Sequence, residues 1–461
     1  MADHYSRRQA LAGGIGFAAL AATTSLSPAA LAEDGLRVEP DELPWPEARA
    51  IVAETTVPAF HARTVNVRDH GAIADGSTDN TDAFAKAINA VNAAGGGTVI
   101  VPAGTYVTGA IYLKSNVNLR LAGATLRFSS DASRFPTVRT RYEGIECMNR
   151  SPMIYAINQT NIAVTGSGTL DAGGTSSWNK GSDRRFLESL ISKGVTDPRK
   201  RVVPGSGHSM RSTFIEPYSC DRVLIQGVTL KNPMFWQLHP TLCTNVIVDG
   251  VTTDPSTAHS NTDGCDPESC KNMVIRNCTL GAHDDNIAIK SGRDADGRRV
   301  NVPTENLVVY NCLMNGNWGA ITCGSEQTGG IRNVYAYKCD VTGATKFALY
   351  VKSNTLRGGF SQNINLDSFQ GNFDRSFVFV TTTYNGQTGS HPPQFGPFSI
   401  TNSGCTSAPR VFDVSGLGNA HIKGFVVKNC AFKGVGNAAN IFKNVDGRVF
   451  TNVTINGKTV S

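Results

Sequence analysis

The phrase Asn272-Met-Val-Ile-Arg-Asn-Cys278 returns twice, as Asn306-Leu-Val-Val-Tyr-Asn-Cys312 and as Asn333-Val-Tyr-Ala-Tyr-Lys-Cys339. Related phrases begin at Arg222, Asn245 and Asn363, so that successive starts lie 23, 27, 34, 27 and 30 residues apart. A short strand that returns at such a period indicates a solenoid, because each unit buries its apolar row only by stacking on the next one. The units contain no recurring helix, and the pattern therefore predicts an all-β chain folded as a parallel β-helix.

The repeat also predicts the interior and one end of this solenoid. Cys278, Cys312 and Cys339 occupy equivalent positions, so we expect them to stack as a ladder of small apolar groups inside it. Near the amino terminus, residues 78–94 carry apolar side chains at helical spacing and stop at three consecutive glycines. That stretch predicts one short helix at the amino-terminal end of the solenoid.

Composition and terminal signals set the limits of the domain. A chain of 461 residues with 40% hydrophobic content can bury a large core, and 47 glycines against 17% charged residues favour turn-rich β structure. Residues 1–32 read as an export signal, because an arginine pair precedes an Ala-rich apolar run that ends in Ala-Leu-Ala. The pair favours the twin-arginine route, with the general secretory route as the alternative. We expect an irregular segment over 33–63 and the β-helix over 64–461, interrupted by an insertion at about 173–211.

Charge and cysteine usage exclude several classes of protein. Loss of Arg7, Arg8 and Asp3 with the signal lowers the formal net charge from +6 to about +5, which suits an acidic polymer. Basic residues are not interleaved with aromatic ones, so nucleic acid is not an expected partner. No later segment approaches the roughly 20 apolar residues that span a bilayer, so membrane insertion is not expected. We expect an exported protein that is a monomer. Eleven cysteines without paired metal spacings exclude a complete disulfide framework and a zinc site.

Acidic residues crowd into two neighbouring stretches of the repeat. The stretch 259–270 holds three carboxylates, and His283-Asp-Asp-Asn286 follows one strand later. Residues one coil apart lie about 4.8 Å apart, so we expect Asp263, Asp284 and Asp285 to converge on one face. The same register places Trp318 beside them on the next coil. A lone Asp in such a stretch is typical of turn chemistry, but three in register favour a functional site.

Three converging acids suit hydrolysis of a glycosidic bond. One protonated carboxyl assists the leaving oxygen, and an ionised one activates a water molecule, usually at separations of roughly 6.5–9.5 Å when the anomeric centre is inverted. A third acid raises the pKa of its neighbour by repulsion, as a general acid requires.

At these positions the chain resembles glycoside hydrolase family 28, the polygalacturonase family. The resemblance spans most of residues 65–372. The motifs that carry it are Asn261-Thr-Asp-Gly264, His283-Asp-Asp-Asn-Ile-Ala-Ile-Lys-Ser-Gly292, Trp318-Gly-Ala-Ile-Thr-Cys-Gly-Ser-Glu326, Tyr350-Val-Lys-Ser-Asn354, Val67-Arg-Asp-His-Gly-Ala-Ile-Ala-Asp-Gly76 and Val101-Pro-Ala-Gly-Thr-Tyr106.

The resemblance implies a right-handed single-stranded parallel β-helix with inverting hydrolysis of pectin-type chains, and neither metal nor other cofactor. Carried over by position, Asp284 is the general acid, and Asp263 and Asp285 hold the nucleophilic water. Lys352 meets a substrate carboxylate, and Asn261 and Lys290 lie within the substrate-binding motifs.

Two positions depart from the family pattern. Trp318-Gly319 stands where the family commonly has His-Gly, and Tyr350-Val-Lys352 stands where it has Arg-Ile-Lys. We expect the two aromatic side chains to offer stacking faces for a sugar ring, which favours a less charged sugar such as rhamnose at the cleaved bond. Arg357 or Arg293 would restore the missing charge, and a solvated surface role is the alternative for each.

Two further segments are candidates for shaping the cleft. The basic insertion at 173–211 is expected to overhang the binding face and close one end, which favours an exo mode. Phe235-Trp236-Gln-Leu-His239 is expected to expose an aromatic pair and His239 as a sugar subsite, with burial in the core as the alternative.

Two other classes of function remain open. A β-helix polysaccharide lyase would use the acids to bind calcium. A catalytically inactive carbohydrate-binding relative would explain the missing His and Arg.

Overall fold

A computed structural model describes residues 38–256 and 258–460. The expected export signal at 1–32 lies outside the described residues. Among the described residues, no helix is both long enough and apolar enough to cross a membrane.

Parallel strands stack coil upon coil into the expected right-handed single-stranded parallel β-helix, which confirms the predicted fold class. One long sheet runs the length of the solenoid. Its strands are Thr64–Asn66, Asp75–Asp79, Gly97–Thr108, Val117–Phe128, Thr160–Gly166, Thr169–Asp171, Asp221–Gln226, Thr229–Lys231, Thr244–Asp249, Lys271–Arg276, Thr279–Ala282, Thr304–Gly316, Ile331–Val341, Phe360–Gly371, Gln394–Phe395, Phe398–Thr401, Gly404–Cys405, Ile422–Phe432, Val445–Ile455 and Lys458–Val460.

A second face is built from two smaller parallel sheets. The first consists of Ile111–Tyr112, Ile154–Ile157 and Ile215–Tyr218, and the other of Ile287–Ile289, Gly319–Gly324, Phe347–Lys352, Ser376–Thr381, Arg410–Ser415 and Ile441–Lys443. Single bridges from Ile215 to Leu238, from Leu238 to Cys265 and from Cys265 to Ile287 connect the two. We call this continuous surface the second face.

Asparagines at the start of the repeats explain why that residue recurs. Asn272, Asn306, Asn333 and Asn363 have φ values of 54°, 61°, 57° and 54°, in the left-handed region that asparagine tolerates better than most residues. Their amides form a ladder along the solenoid, with Nδ2 to Oδ1 distances of 2.9, 3.0 and 3.0 Å between successive coils. Each asparagine therefore makes the turn and joins neighbouring coils.

The interior follows the apolar rows of the repeat. Cys312 pairs in register with Cys339, and Cys278 lies on the preceding coil, with all three side chains buried and reduced. The strand spacing and the alternation of buried and partly exposed positions are those expected for a solenoid whose rows stack on one another.

Within residues 38–256 and 258–460, four helices and six short 3₁₀ turns accompany the strands. The helices are α1 (Pro46–Glu54), α2 (Thr81–Ala93), α3 (Arg184–Ser192) and α4 (Asp294–Val300), and the turns are Pro40–Glu42, Val67–His70, Ala132–Arg134, Gly173–Ser177, Pro198–Lys200 and Tyr384–Gly386. Helix α2 is the capping helix expected from the sequence, and it buries Phe84, Ile88 and Val91 against the first coils.

We expected the segment 33–63 to be irregular, but its described part contains a helix. Helix α1 forms within it and buries Ala48 and Ile51, which belong to a cluster with Val308 and Tyr335 on the outer side of the long sheet. The sequence reading missed this helix because only two of its nine residues are buried, so the apolar periodicity is weak.

Two elements cover part of the second face. The strands Thr137–Tyr142 and Ile145–Arg150 form an antiparallel hairpin. Helix α3 and two of the short turns occupy the stretch 173–200, between the solenoid strands Thr169–Asp171 and Ile215–Tyr218. Apolar side chains of the hairpin and of α3 pack together in a separate cluster that includes Tyr142, Leu187 and Trp236. These elements wall the site described below.

Candidate active site

Asp263, Asp284 and Asp285 meet on the second face. Each offers a carboxylate oxygen within 4.8 Å of the others. Asp263 and Asp285 are buried and Asp284 is partly exposed, and all three line an open cleft of about 350 Å³. Backbone hydrogen bonds join their coils, since the Gly264 amide donates to the Asp285 carbonyl at 3.0 Å. The coil spacing thus places the acids together as expected.

One oxygen of each acid lies within 4.8 Å of the others, because Asp263 lies on one coil and the consecutive pair Asp284 and Asp285 on the next, about one strand spacing away. Room for a reacting group lies above the acids, in the cleft, rather than between widely separated side chains.

Asp285 is held by three protein groups. Its Oδ1 accepts from the Gly319 amide at 2.7 Å and the Thr322 hydroxyl at 2.8 Å, and its Oδ2 accepts from Lys352 Nζ at 2.9 Å. Gly319 is required here, because a Cβ would lie 2.0 Å from Thr322 Oγ1 and 3.0 Å from Asp285 Oδ1. These donors stabilise the ionised carboxylate, as charge-assisted hydrogen bonds do.

Asp284 has the environment of a proton donor. Burial and the neighbouring Asp285 raise its pKa to about 6, against the opposing effect of Lys352. Asn261 Nδ2 lies 3.4 Å from Asp284 Oδ2, and the Asn261 side chain is in turn held by Arg211 at 3.1 Å. A carboxyl group with a raised pKa that faces an open cleft suits general acid chemistry near neutral to mildly acidic pH.

Asp263 lies above a buried group of charges. Lys290 Nζ is 3.8 Å from Asp263, 3.3 Å from Asp266 and 3.4 Å from Glu326, and it sits 4.5 Å from the Trp236 ring centroid. Burial and the charge of Asp266 raise the pKa of Asp263 well above its ordinary value. Lys290 thus contacts acids of the protein, and it serves as their shared counter-ion at the floor of the cleft.

Positive charge also lines the opposite side of the cleft. Lys352 and Arg357 are both buried and both line it. The Arg357 guanidinium donates to Gln387 at 2.6 Å, and its Nε has no hydrogen-bond partner among the described residues. Burial and the nearby Arg293 lower the pKa of Arg357. Arg293 is already engaged, at 2.8 Å from Glu326 and 3.3 Å from Glu143.

The insertion contributes to the wall of the cleft. Ser182 and Arg184, at the start of α3, line it together with Glu143 at the tip of the hairpin. Arg184 pairs with Glu143 and also with Glu188, the latter at 2.9 Å. Arg184, Glu143, Arg293 and Glu326 therefore form a chain of ion pairs that links the insertion to the solenoid.

Tyr350 does not offer the stacking face that we expected. Its side chain is 3% exposed, because its ring stacks on Phe379 of the next coil at a centroid distance of 5.3 Å and Lys352 Nζ lies 4.4 Å from its centroid. An outward-facing position on a solenoid is covered when the next coil also carries an aromatic side chain there.

His239 and the aromatic pair beside it are buried, so the expected subsite at this position is wrong. His239 is 0% exposed, and its Nε2 bonds Glu268 at 2.9 Å while Nδ1 lies 3.6 Å from Glu216. Although burial opposes it, the two carboxylates raise the pKa of His239 to about 9. Phe235 and Trp236 stack beneath Tyr142 of the hairpin, and only Trp236 reaches the cleft.

Trp318 lies one coil beyond Asp284, as the register predicts, and its amide donates to the Asp284 carbonyl at 3.2 Å. Its side chain is 38% exposed but lines a different cleft, together with Lys346 and Phe379. Trp318 is therefore next to the acids in the backbone and outside the cleft that they form.

Several residues at the site escaped the sequence reading. Glu326 ends one of the family motifs and Asp266 lies in the acidic stretch 259–270, but nothing in a single sequence shows that both face Lys290. Thr322 and Gly319 act through a strand that follows Trp318, and Arg184 acts from the insertion. Thr322 lies within the strand Gly319–Gly324, and the alternation of side chains along that strand does not reveal its bond to Asp285. That bond depends on the three-dimensional register of neighbouring coils.

The three acids could geometrically hold a cation, since carboxylate oxygens are the ligands that calcium prefers. Two ammonium groups already neutralise them, with Lys352 at 2.9 Å from Asp285 and Lys290 at 3.8 Å from Asp263. This arrangement favours the acids as proton-transfer groups.

The fold and the site together define a parallel β-helix protein with an acidic cluster and buried cations on one face. The model for "Glycosyl hydrolases family 28" matches residues 95–396. The chain therefore belongs to glycosyl hydrolase family 28, as its motifs indicate.

Relatives with known sequences or structures agree with this assignment. The chain is 29% identical over 342 residues to a probable polygalacturonase of Vitis vinifera, covering 72% of this chain and 65% of that protein. It is 26% identical over 386 residues to the exo-poly-alpha-D-galacturonosidase of Dickeya chrysanthemi, covering 76% and 63%. The chain thus spans slightly less than two thirds of these two relatives. The crystal structure of a hyperthermoactive exopolygalacturonase from Thermotoga maritima superposes with a TM-score of 0.81 at 34% identity, covering 89% of this chain and 96% of that one.

Proposed function

We propose that the protein hydrolyses glycosidic bonds in uronate-containing, pectin-type polysaccharides or oligosaccharides. The observation that carries this proposal is the meeting of Asp263, Asp284 and Asp285 within 4.8 Å, in a cleft that Lys352 and Arg357 also line. Membership in family 28 and the names of the relatives support the same chemistry.

In the proposed reaction, Asp284 donates its proton to the leaving glycosidic oxygen, for which its raised pKa and partial exposure suit it. Asp263 and Asp285 hold a water molecule and accept its proton as it attacks the anomeric carbon. The Gly319 amide and the Lys352 ammonium hold the Asp285 carboxylate in place for this role.

We propose inversion at the anomeric centre. Asp263 is 3% and Asp285 1% exposed, and both oxygens of Asp285 accept hydrogen bonds from the protein. A carboxylate held in this way reaches a sugar through water more readily than by direct attack. Proton NMR of the first-formed product tests the point: an inverted anomer supports the proposal, and a retained one contradicts it.

The sugar at the cleaved bond is proposed to be a uronate rather than rhamnose. The argument for a deoxy sugar relied on two open aromatic faces, and Tyr350 has none because Phe379 covers it. Arg357 instead brings a buried guanidinium with an unpartnered Nε to the cleft, and a carboxylate would complete its hydrogen bonds.

A panel of homogalacturonan and rhamnogalacturonan oligomers, with products identified by mass, tests the substrate. We expect cleavage between galacturonate units. Cleavage confined to bonds next to rhamnose would refute the uronate assignment, and an unsaturated product that absorbs in the ultraviolet and disappears with chelator would indicate a lyase instead.

We propose an exo mode of attack. Ser182 and Arg184 of the insertion stand at the cleft, and Glu143 of the hairpin fixes a wall there by pairing with both Arg184 and Arg293. Two relatives carry names for exo-acting enzymes. The expected result is release of a single short product from the first minutes of digestion of polygalacturonate, whereas a ladder of intermediate lengths would show internal cleavage.

We also propose that residues 1–32 direct export to the periplasm or medium. The test is the amino-terminal sequence of the protein recovered outside the cytoplasm, which we expect to begin after Ala32. Recovery of intact chain only from the cytoplasm would contradict the proposal.

A further inference from the structure

The row of residues that contains Asp284 continues over three further coils. The Trp318 amide donates to the Asp284 carbonyl at 3.2 Å, the Lys346 amide to the Trp318 carbonyl at 2.8 Å, and the Arg375 amide to the Lys346 carbonyl at 3.3 Å. At about 4.8 Å per coil, Arg375 lies roughly 14 Å along the solenoid from the acid. That distance exceeds one sugar ring.

Trp318, Lys346 and Arg375 of this row line a second open cleft of about 450 Å³. Its other lining residues include Phe347, Phe379, Arg410 and the carboxylates Asp374 and Asp413. We call it the second cleft. Trp318 is 38% exposed, and Lys346 Nζ lies 3.3 Å from its ring centroid. Aromatic surface and positive charge are therefore presented together, which matches a uronate, a sugar ring with an apolar face and a carboxylate.

The cations of the second cleft differ in their engagement. Arg410 pairs with Asp413 at 3.1 Å. Lys346 and Arg375 take part in no ion pair with any carboxylate of the residues that the structure describes, although Asp374 precedes Arg375 in the chain. Among the cations of the second cleft, Lys346 and Arg375 are thus the ones available to an anionic ligand.

We propose that the second cleft binds further uronate residues of the same chain whose bond is cut at Asp284. Trp318 packs on a sugar face, and Lys346 and Arg375 bind carboxylates. This inference rests on the proposed function. It adds three residues that determine how strongly longer chains are preferred, namely Trp318, Lys346 and Arg375. Trp318 serves substrate binding here in a cleft other than the one that holds the acids.

The experiment measures kcat/KM for galacturonate oligomers from dimer to hexamer. For the native sequence we expect kcat/KM to rise with chain length. In Arg375→Gln and in Lys346→Gln the ratio of hexamer to dimer falls by about tenfold, as for the loss of one charge-assisted hydrogen bond. The matched control is Arg332→Gln, an exposed arginine paired with Glu305 on the long sheet, for which the ratio stays unchanged.

A loss by the same factor at every length, or no loss at all, would overturn the inference while leaving the proposed function standing. Failure of the native protein to cleave any oligomer would instead overturn the proposed function. Calorimetry separates the two cases further, because Asp284→Asn is expected to bind intact hexamer about tenfold more tightly than Asp284→Asn/Arg375→Gln does. Equal affinities would refute the second cleft as a binding site.

Discussion

Replacement of Lys352 by methionine tests the ion pair beneath the cleft. Lys352 Nζ lies 2.9 Å from Asp285 Oδ2, and the two side chains are 9% and 1% exposed. Removal of one partner from such a pair leaves a buried charge uncompensated, which destabilises proteins by about 3–5 kcal/mol. The two remaining donors on Asp285 Oδ1 reduce the loss, so we expect a value near the lower end, about 3 kcal/mol.

Lys271→Met is the matched control. Lys271 forms an ion pair of similar length, 3.2 Å to Glu305, but its side chain is 54% exposed. Exposed pairs contribute little, and Glu305 keeps Arg332 at 2.5 Å, so the expected loss is below about 1 kcal/mol. The two variants thus change the same residue type at the same kind of contact and differ in burial.

The assay is urea denaturation followed by far-ultraviolet circular dichroism at several pH values. In Lys352→Met the buried Asp285 carboxylate loses its counter-ion, and proton uptake at low pH removes that uncompensated charge. The deficit against the native protein therefore shrinks as the pH falls. Lys352→Met/Asp285→Asn should lose less stability than Lys352→Met alone. Equal losses for Lys352→Met and Lys271→Met, or a deficit independent of pH, would refute the reasoning.

Three further predictions follow from the site and the repeat. The alkaline limb of kcat/KM should have its midpoint near pH 6, because Asp284 with its pKa of about 6 must be protonated to donate, and a limb well above pH 7 would contradict that role. Gly319→Ala should reduce kcat at least tenfold with little change in KM. The added methyl group would lie 2.0 Å from Thr322 Oγ1 and would displace the donors of Asp285. An unchanged kcat would show that those donors are dispensable. Asn306→Ala should destabilise the protein by about 2–3 kcal/mol, and Asn306→Gly by less. Both variants lose the hydrogen bonds of the amide ladder, but only alanine is strained at the positive φ of 61°. Equal losses in a urea titration would contradict the contribution of φ.

The period of the repeat was sufficient to predict the fold and the meeting of the acids. Once coils stack at one strand spacing, residues separated by a repeat must be neighbours, and this brings Asp284 next to Trp318 and Asp263 next to Asp285. Prediction at this level needs only the register, which the recurring asparagines mark at the left-handed turn of each coil.

Burial of side chains on the second face could not be predicted in the same way. Tyr350 is covered by Phe379 of the following coil. The two carboxylates that contact His239 are bonded by Thr140 and Arg141, on a hairpin about a hundred residues earlier in the chain. Lys290 contacts three acids that come from two different coils. Each of these outcomes depends on which distant segment packs over the face, and a local pattern of apolar and polar residues carries no information about that.

The most direct test of the central claim compares the native protein with Asp284→Asn on galacturonate oligomers. Asparagine keeps the size of the side chain and the contact with Asn261 but has no proton to give to the leaving oxygen. We expect the release of reducing sugar to fall by at least a hundredfold, the lower end of what general acid catalysis contributes, while binding of the intact oligomer persists. Retention of native activity in Asp284→Asn would contradict the assignment of this carboxyl as the proton donor.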